Sequence, residues 1–485
     1  MIAPRRATAV IAGYVLLIVA WAMSTPPFSG PDEWAHFLRA AGVSHGQVLG
    51  ARVDSFHDPN LTPDQEAWTS RIVRRIDVPP GLAPDGFGCN AFQPTVSAVC
   101  TDRLPPPPRE RVGRVTTTGN YHPAPYLLPG LVVRAGSGPV SALLLARLAN
   151  GLIALALLAL AAVALQPALL GLVVATTPMA LFLAAVLNPS GLEIAGSIAF
   201  TCGLIGLARE QRSRFAWAAV TAGAATVCLS RFLGPIWVGS ILAAWLVWIG
   251  LDRAWGGIAP ARGKAVACAA IVSAAIALNR AWDFYFGPRP LPRTEPLSLA
   301  LRQSIRWIPE WVREQIGVFQ YLETPMPGAA YLVWFAVFAA LVAFALRVGT
   351  GRDRLVLSVA LAAALAVPVI LNAVALRPIG WAVQGRHVLP LTVACPLLAG
   401  EIVWRTRRWP PTRAGRSIGL AVAASCAVVH FVGFYANARR SSVGTAGSWL
   451  FPLHPEWSPP LGWWPWLLLA AAGAALITAA RPEPT

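Results

Sequence analysis

Charge is scarce in this chain of 485 residues. Only 13% of them are Asp, Glu, Lys or Arg, about half the share usual in soluble domains. Lysine is nearly absent: Lys264 is the single one, so 38 of the 39 basic residues are Arg, a bias of GC-rich genomes. Acids number 22, which leaves a net charge of +17. No repeat of 20–50 residues runs through the chain, and its hydropathy halves do not form an inverted pair. The seven cysteines have neither the number nor the spacing of a zinc site. So little charge excludes a soluble enzyme, and so much apolar sequence excludes a disordered chain.

Apolar residues make up 56% of the chain. Many run uncharged for roughly 17–25 residues, enough to cross about 30 Å of hydrocarbon. About twelve transmembrane helices are expected, near 8–24, 139–164, 168–187, 191–208, 214–231, 233–251, 265–281, 328–347, 354–374, 387–404, 417–436 and 462–480. The expected fold is an all-α polytopic membrane protein, a single domain over 1–485 set in a lipid bilayer. The apolar piece 126–135 is too short to span and reads as interfacial or re-entrant.

Splitting the charge by side gives the orientation. With Arg5 and Arg6 in the cytoplasm, the alternate loops 209–214, 252–264, 347–354 and 405–416 are all short and basic. That side holds 17 basic and 5 acidic residues, a net of +12; the other holds 22 and 17, a net of +5. Both termini are therefore expected inside, and the basic excess reflects orientation rather than nucleic acid. Ala20-Trp21-Ala22 has the small-x-small form of a signal-peptidase site, but the segment reads as an uncleaved first span. Cleavage would detach it from the acidic motif that follows.

Two outer loops are large. The first, 25–138, is rich in Pro and Gly and carries ten acidic and ten basic residues. The second, 282–327, contains Leu301, Ile305, Ile308, Val312 and Ile316 at helical spacing, the pattern of an amphipathic helix on the outer leaflet. Five cysteines fall in spans. Cys89 and Cys100 share the first outer loop, where an oxidising exterior allows a disulfide.

The polar constellations all fall on that outer side, whereas the inner loops offer only orienting arginines. Directly after the first span comes Pro31-Asp32-Glu33-Trp34-Ala35-His36-Phe37-Leu38-Arg39. Pro31 suits a first helical turn, and carboxylates there face its positive end. Asp32 and His36 share a face, while Glu33 points elsewhere. The stretch reads either as a capped helix start or as a general base oriented by His36 or Arg39. Further candidates are Tyr121 and His122, Arg147, Asn188 and Glu193 at a tight turn, Arg231, Gln320 and Glu323, then Gln384, Arg386 and His387. Each alone is an ordinary cap or a snorkelling side chain. Together, ionisable groups at several helix mouths are functional candidates, and Arg231 and Arg386 can grip a phosphate.

The run Pro26-Pro27-x-x-x-Pro31-Asp32-Glu33-x-x-His36-Phe37-x-Arg39-Ala40 resembles the opening of domain-of-unknown-function family 2142, bacterial polytopic proteins of the wider GT-C glycosyltransferase superfamily. Asn188-Pro-Ser-Gly-Leu-Glu193, Tyr321-Leu-Glu-Thr-Pro-Met-Pro327 and Gln384-Gly-Arg-His-Val-Leu-Pro390 are similar to later segments of that family, in the same order. Ser190 and Glu323 stand where the family more usually has Asp, and His387 where it has Tyr. The resemblance implies a GT-C-like fold and an inverting glycosyltransferase in the bacterial plasma membrane. Such an enzyme passes a sugar from a polyprenyl-phosphate donor to a cell-envelope glycan or glycolipid acceptor outside the cytoplasm. It implies Asp32 and Glu33 as catalytic acids, with the remaining candidates on substrate or phosphate. No metal site is assigned, although Asp32, Glu33, His36 and Glu193 are the set that would hold the divalent ion some superfamily members use. The alternatives are a transporter or flippase of lipid-linked sugars, and a glycan polymerase or ligase.

A topology reporter fused after Glu33 is expected to read extracytoplasmic. A cytoplasmic signal there would overturn orientation and mechanism together.

Overall fold

The computed structural model describes residues 2–54, 56–83, 88–209, 213–289, 291–292, 295–406 and 413–480. Residues 210–212, 407–412 and 481–485, parts of the basic loops and tail, lie outside the described ones. Among the described residues the chain is mostly helical, with two small sheets. Helices α1 (Ile2–Ser24) and α2 (Glu33–Ser44) open it; α3 (Pro63–Ile72) and α4 (Leu127–Val133) lie in the first large loop. Then come α5 (Pro139–Leu165), α6 (Leu169–Ala175), α7 (Pro178–Ala185), α8 (Pro189–Arg209), α9 (Arg214–Ser230), α10 (Gly234–Ile249), α11 (Leu251–Ile258) and α12 (Arg262–Phe286). Helices α13 (Leu297–Ile305) and α14 (Ile308–Gly317) belong to the second loop. The rest are α15 (Gly328–Val348), α16 (Gly351–Leu371), α17 (Gly385–Thr392), α18 (Ala394–Arg405), α19 (Arg413–Val443) and α20 (Trp464–Ile477).

Among the described residues, eight helical stretches are long and apolar enough to cross a membrane, and they cover eight of the expected spans. The expected spans at 233–251 and 462–480 are shorter apolar helices. The one at 168–187 is broken: α6 ends before Thr176 and α7 begins at Pro178. A residue before proline is pushed out of helical geometry, and Thr177 is extended, with φ −67° and ψ 161°. The break is satisfied internally, as backbone at membrane depth must be. Thr177 caps α7 and donates its hydroxyl to the Gln315 carbonyl of α14 at 2.8 Å.

That contact corrects the picture of the second loop. Its amphipathic stretch is two helices, and their buried residues are Ala300, Ser304, Trp311, Glu314, Ile316 and Gly317, so of the expected apolar side Ile316 is buried while Ile305 stays 55% exposed. The helices pack on protein through Trp311, which donates to the Val383 carbonyl at 2.7 Å. Helix α4, the short apolar piece, packs on α2 and α5 and props α2 from beneath.

In the first loop, β1 (Ala51–Arg52), β2 (Arg74–Val78) and β3 (Val112–Thr116) form an antiparallel sheet in that order. Cys89 and Cys100 are disulfide-bonded, their Cα atoms 6.3 Å apart. A hairpin of β4 (Val318–Phe319) and β5 (Thr324–Pro325) leads into α15. Trp21 of α1 is fully buried among Phe182, Phe319 and Phe434, at ring distances of 5.1, 4.8 and 5.2 Å. These rings tie α1, α7, the hairpin and α19 into one core. Opposite-charge pairs also fix the far end of the bundle, where only orienting arginines were expected. Arg209 pairs with Glu401, and Arg405 with Asp353 at 2.6 Å.

A buried clasp joins α2 to the bundle. Arg147 of α5 holds Glu33 through two bonds of 2.7 and 2.6 Å, both side chains fully buried. It also donates to the carbonyls of Ala22, Thr25 and Pro26. Removing one member of such a pair leaves an uncompensated buried charge, costing about 3–5 kcal/mol. Arg147→Met is therefore expected to lower the melting temperature in detergent sharply, and the double change with Glu33→Gln to recover part of the loss. A single variant as stable as wild type would show that the clasp is dispensable.

Candidate active site

Asp32 sits at the N-cap of α2 in the left-handed region, with φ 53° and ψ 17°. Aspartate tolerates that region better than most residues, and strained backbone clusters at functional sites. Its carboxylate makes no cap bond to the helix it precedes, unlike the expected role of a first-turn acid. It turns instead to Arg386, whose Nη2 donates to Oδ2 at 2.5 Å. The Asp32 side chain remains 55% exposed, whereas that of Arg386 is 4% exposed. Arg386 Nε donates to Gln384 Oε1 at 2.7 Å, and among the described residues its buried Nη1 has no hydrogen-bond partner.

Loss of solvation opposes the charge on Asp32, but Arg386 and Arg231 outweigh it and hold the carboxyl below its ordinary range. His36 shares a 2.7 Å hydrogen bond with the Tyr126 hydroxyl. Burial drives its imidazole down to about 3, so the ring is neutral. Arg231, the extended residue after α9, donates to the Ser190 hydroxyl at 2.7 Å. Its charge reaches Asp32, His36 and Tyr126, and it interacts with Glu193. Glu193 is buried, and among the described residues neither of its oxygens has a hydrogen-bond partner. His387 lies within the fields of Arg231 and Arg386.

Local sequence explains the placement. Asn188 donates to the Pro31 carbonyl at 2.8 Å and accepts from the Ser190 amide at 2.9 Å, so the tight turn holds the backbone just before Asp32. A Cβ on Gly191 would overlap the Leu183 carbonyl, so only glycine lets α8 approach α7 there. Glu314 of α14 accepts from the Gly385 amide at the start of α17, next to Arg386. A Cβ on Gly385 would collide with the Trp311 carbonyl oxygen and Glu314 Cβ.

Asp32, His36, Glu193, Arg231, Gln384, Arg386 and His387 thus come together. Other candidates do not join them. Glu33, expected as a second catalytic acid, accepts four hydrogen bonds: two from Arg147 and one each from the Gly30 and Leu187 amides. Both of its oxygens are occupied by these donors, and Arg147 is its partner. Arg39 is spent on the carbonyls of Tyr121, Gln47 and Val48. His122 packs edge-on against Trp282 at 5.4 Å, and burial lowers it to about 4. Gln320 bonds Ser441, and Glu323 bonds Arg440. Arg440 also donates to the carbonyls of Asn90 and Val96, pinning the disulfide loop. These residues build the frame. Of the three acids and one imidazole named for a divalent ion, Glu33 faces inward on Arg147 and Asp32 is bonded to the Arg386 guanidinium. Among the described residues, no three His, Cys, Asp or Glu side chains are grouped to hold a metal.

Tyr126, Ser190, Glu314 and Arg440 were missed as site or frame residues. Ser190 carried a signal, as a departure from the family pattern. Glu314 carried none, since a Glu on an amphipathic helix reads as solvated.

Burial raises the Glu314 carboxyl to about 7, with Glu310 adding to that and the Gly385 amide and Arg386 opposing it. The folded state then holds this proton more tightly than the unfolded chain, where glutamate sits at about 4.3. Stability therefore falls as pH rises from about 4.3 to 7. Glu314→Gln is expected to remove that slope from the melting temperature in detergent. An unchanged slope would assign it to other groups.

A crystal structure of ArnT from Cupriavidus metallidurans in the apo state is similar over 98% of this chain and 76% of that one, at 14% identity and a TM-score of 0.45. No curated protein matches. The chain belongs to the family described as Predicted membrane protein (DUF2142), which matches residues 15–395 and so takes in Asp32, Arg231 and Arg386.

Proposed function

We propose that the protein is a membrane glycosyltransferase that moves a sugar from a polyprenyl-phosphate donor to a cell-envelope glycan or glycolipid acceptor. The site faces the extracytoplasmic side of a bacterial plasma membrane, with both termini in the cytoplasm. The reading rests on one observation: a half-exposed carboxylate in strained backbone, held by a buried guanidinium with a free N–H.

The chemistry follows from that pair. A lipid phosphate entering the site takes the Nη1 of Arg386 and the charge of Arg231. Both arginines then neutralise the negative charge that builds on the leaving phosphate as the glycosidic bond breaks. Phosphate binding also withdraws positive field from Asp32. Its proton affinity rises toward the range where a carboxylate works as a base. Asp32 accepts the proton of the acceptor hydroxyl, whose oxygen attacks the anomeric carbon opposite the departing phosphate, with inversion. Neutral His36, fixed by Tyr126, flanks Asp32 without competing for that proton. The clasped Glu33 keeps α2, and so Asp32, in place.

Asp32→Asn keeps the shape of the side chain and removes the base. Sugar transfer from a polyprenyl-phosphate donor is expected to fall by at least about 100-fold, the usual weight of general-base catalysis, with expression and melting temperature kept. Transfer at the wild-type rate by the purified variant would remove Asp32 from the mechanism.

A further inference from the structure

Outside the site, the flank formed by α15 and α19 contains an apolar groove of about 430 Å³. Small residues open it: Ala329 and Ala330 on α15 face Val428 and Val432 on α19. Leu332 at 73% exposure and Val428 at 59% place it on a face turned outward from the bundle, the face a lipid chain touches. Its upper end is closed by a stack. Tyr435 lies parallel to Trp449, with ring centres 6.1 Å apart and an interplanar angle of 4°, and the Arg439 guanidinium covers the indole at 4.1 Å. Tyr and Trp at this level mark a membrane–water interface.

Arg439 is the informative member. It donates to the carbonyls of Thr445 and Gly447. Among the described residues, no carboxylate is paired with it, whereas its neighbour Arg440 is paired with Glu323. A cation on the indole that borders an apolar groove suits a molecule with an anionic head and a hydrocarbon chain. The only titratable side chain lining the groove is Tyr435, and its hydroxyl is bonded to the Trp449 carbonyl. The groove therefore holds its occupant without transforming it, unlike the site at Asp32.

We propose that this groove binds one anionic membrane phospholipid, with an acyl chain along α15 and α19 and its phosphate on Arg439. The lipid is a bound component of the protein and not the reacting donor. It also shields the end of α19, whose Arg440 pins the disulfide loop.

The test uses the full chain purified in detergent, with phosphatidylglycerol and phosphatidylcholine of equal chain length as probes. Native mass spectrometry and thermal melting read retention. Wild type is expected to retain phosphatidylglycerol preferentially and to melt higher with it. Arg439→Gln is expected to weaken that preference about fivefold, the effect of one surface cation on an anionic lipid, while Arg439→Lys keeps it. Val333→Trp fills the groove with Arg439 in place and is expected to lose both lipids. Equal retention of the two lipids by wild type would overturn the proposal. So would an unchanged preference in Arg439→Gln. Displacement of phosphatidylglycerol by geranylgeranyl phosphate would also overturn it, by assigning the groove to an isoprenoid substrate. None of these readouts depends on the glycosyltransferase reading.

Discussion

The structure depends on burying a full positive and a full negative charge at the top of the bundle. Glu33 and Arg147 are completely removed from solvent, a situation tolerated only when both ions are saturated. They are saturated by each other, by three carbonyls at the end of α1, and by the amides of Gly30 and Leu187. That knot fixes where α2 starts relative to α1, α5 and the end of α7. Two adjacent acids consequently have opposite fates. Glu33 is locked into the frame, and Asp32, one residue earlier and in left-handed backbone, is turned out toward Arg386.

The second constraint comes from α14, which holds the strand of chain that carries Arg386. Trp311 binds the Val383 carbonyl and Glu314 binds the Gly385 amide, and Gly385 is the residue that lets them approach. Acid and guanidinium thus reach one another from segments more than 350 residues apart. An ion pair of this kind keeps the carboxylate charged and the arginine oriented.

Much of this was legible in the sequence. Long uncharged runs can only be spans, so the polytopic fold followed from hydropathy. The i,i+4 spacing correctly put Asp32 and His36 on one face and Glu33 on another. What the spacing could not show is which acid would find an arginine deep in the bundle, because Arg147 reads in sequence as a snorkelling residue. The break at Thr176–Thr177 hid inside a run apolar enough for one span, although Pro178 marked it. The buried side of α14 was only partly legible: Ile316 was expected and is buried, but Trp311 and Glu314 are held by the Val383 carbonyl and the Gly385 amide of a distant segment.

The mechanism we propose places a lipid phosphate on Arg386, the partner of Asp32. It is tested most directly by the affinity of an isoprenyl monophosphate for wild type, Arg386→Ala and Asp32→Asn. Loss of a charged hydrogen bond is expected to weaken binding to Arg386→Ala by about tenfold or more. Asp32→Asn, which frees the guanidinium, should bind at least as tightly as wild type. Equal weakening in both variants, or none in Arg386→Ala, would contradict the account.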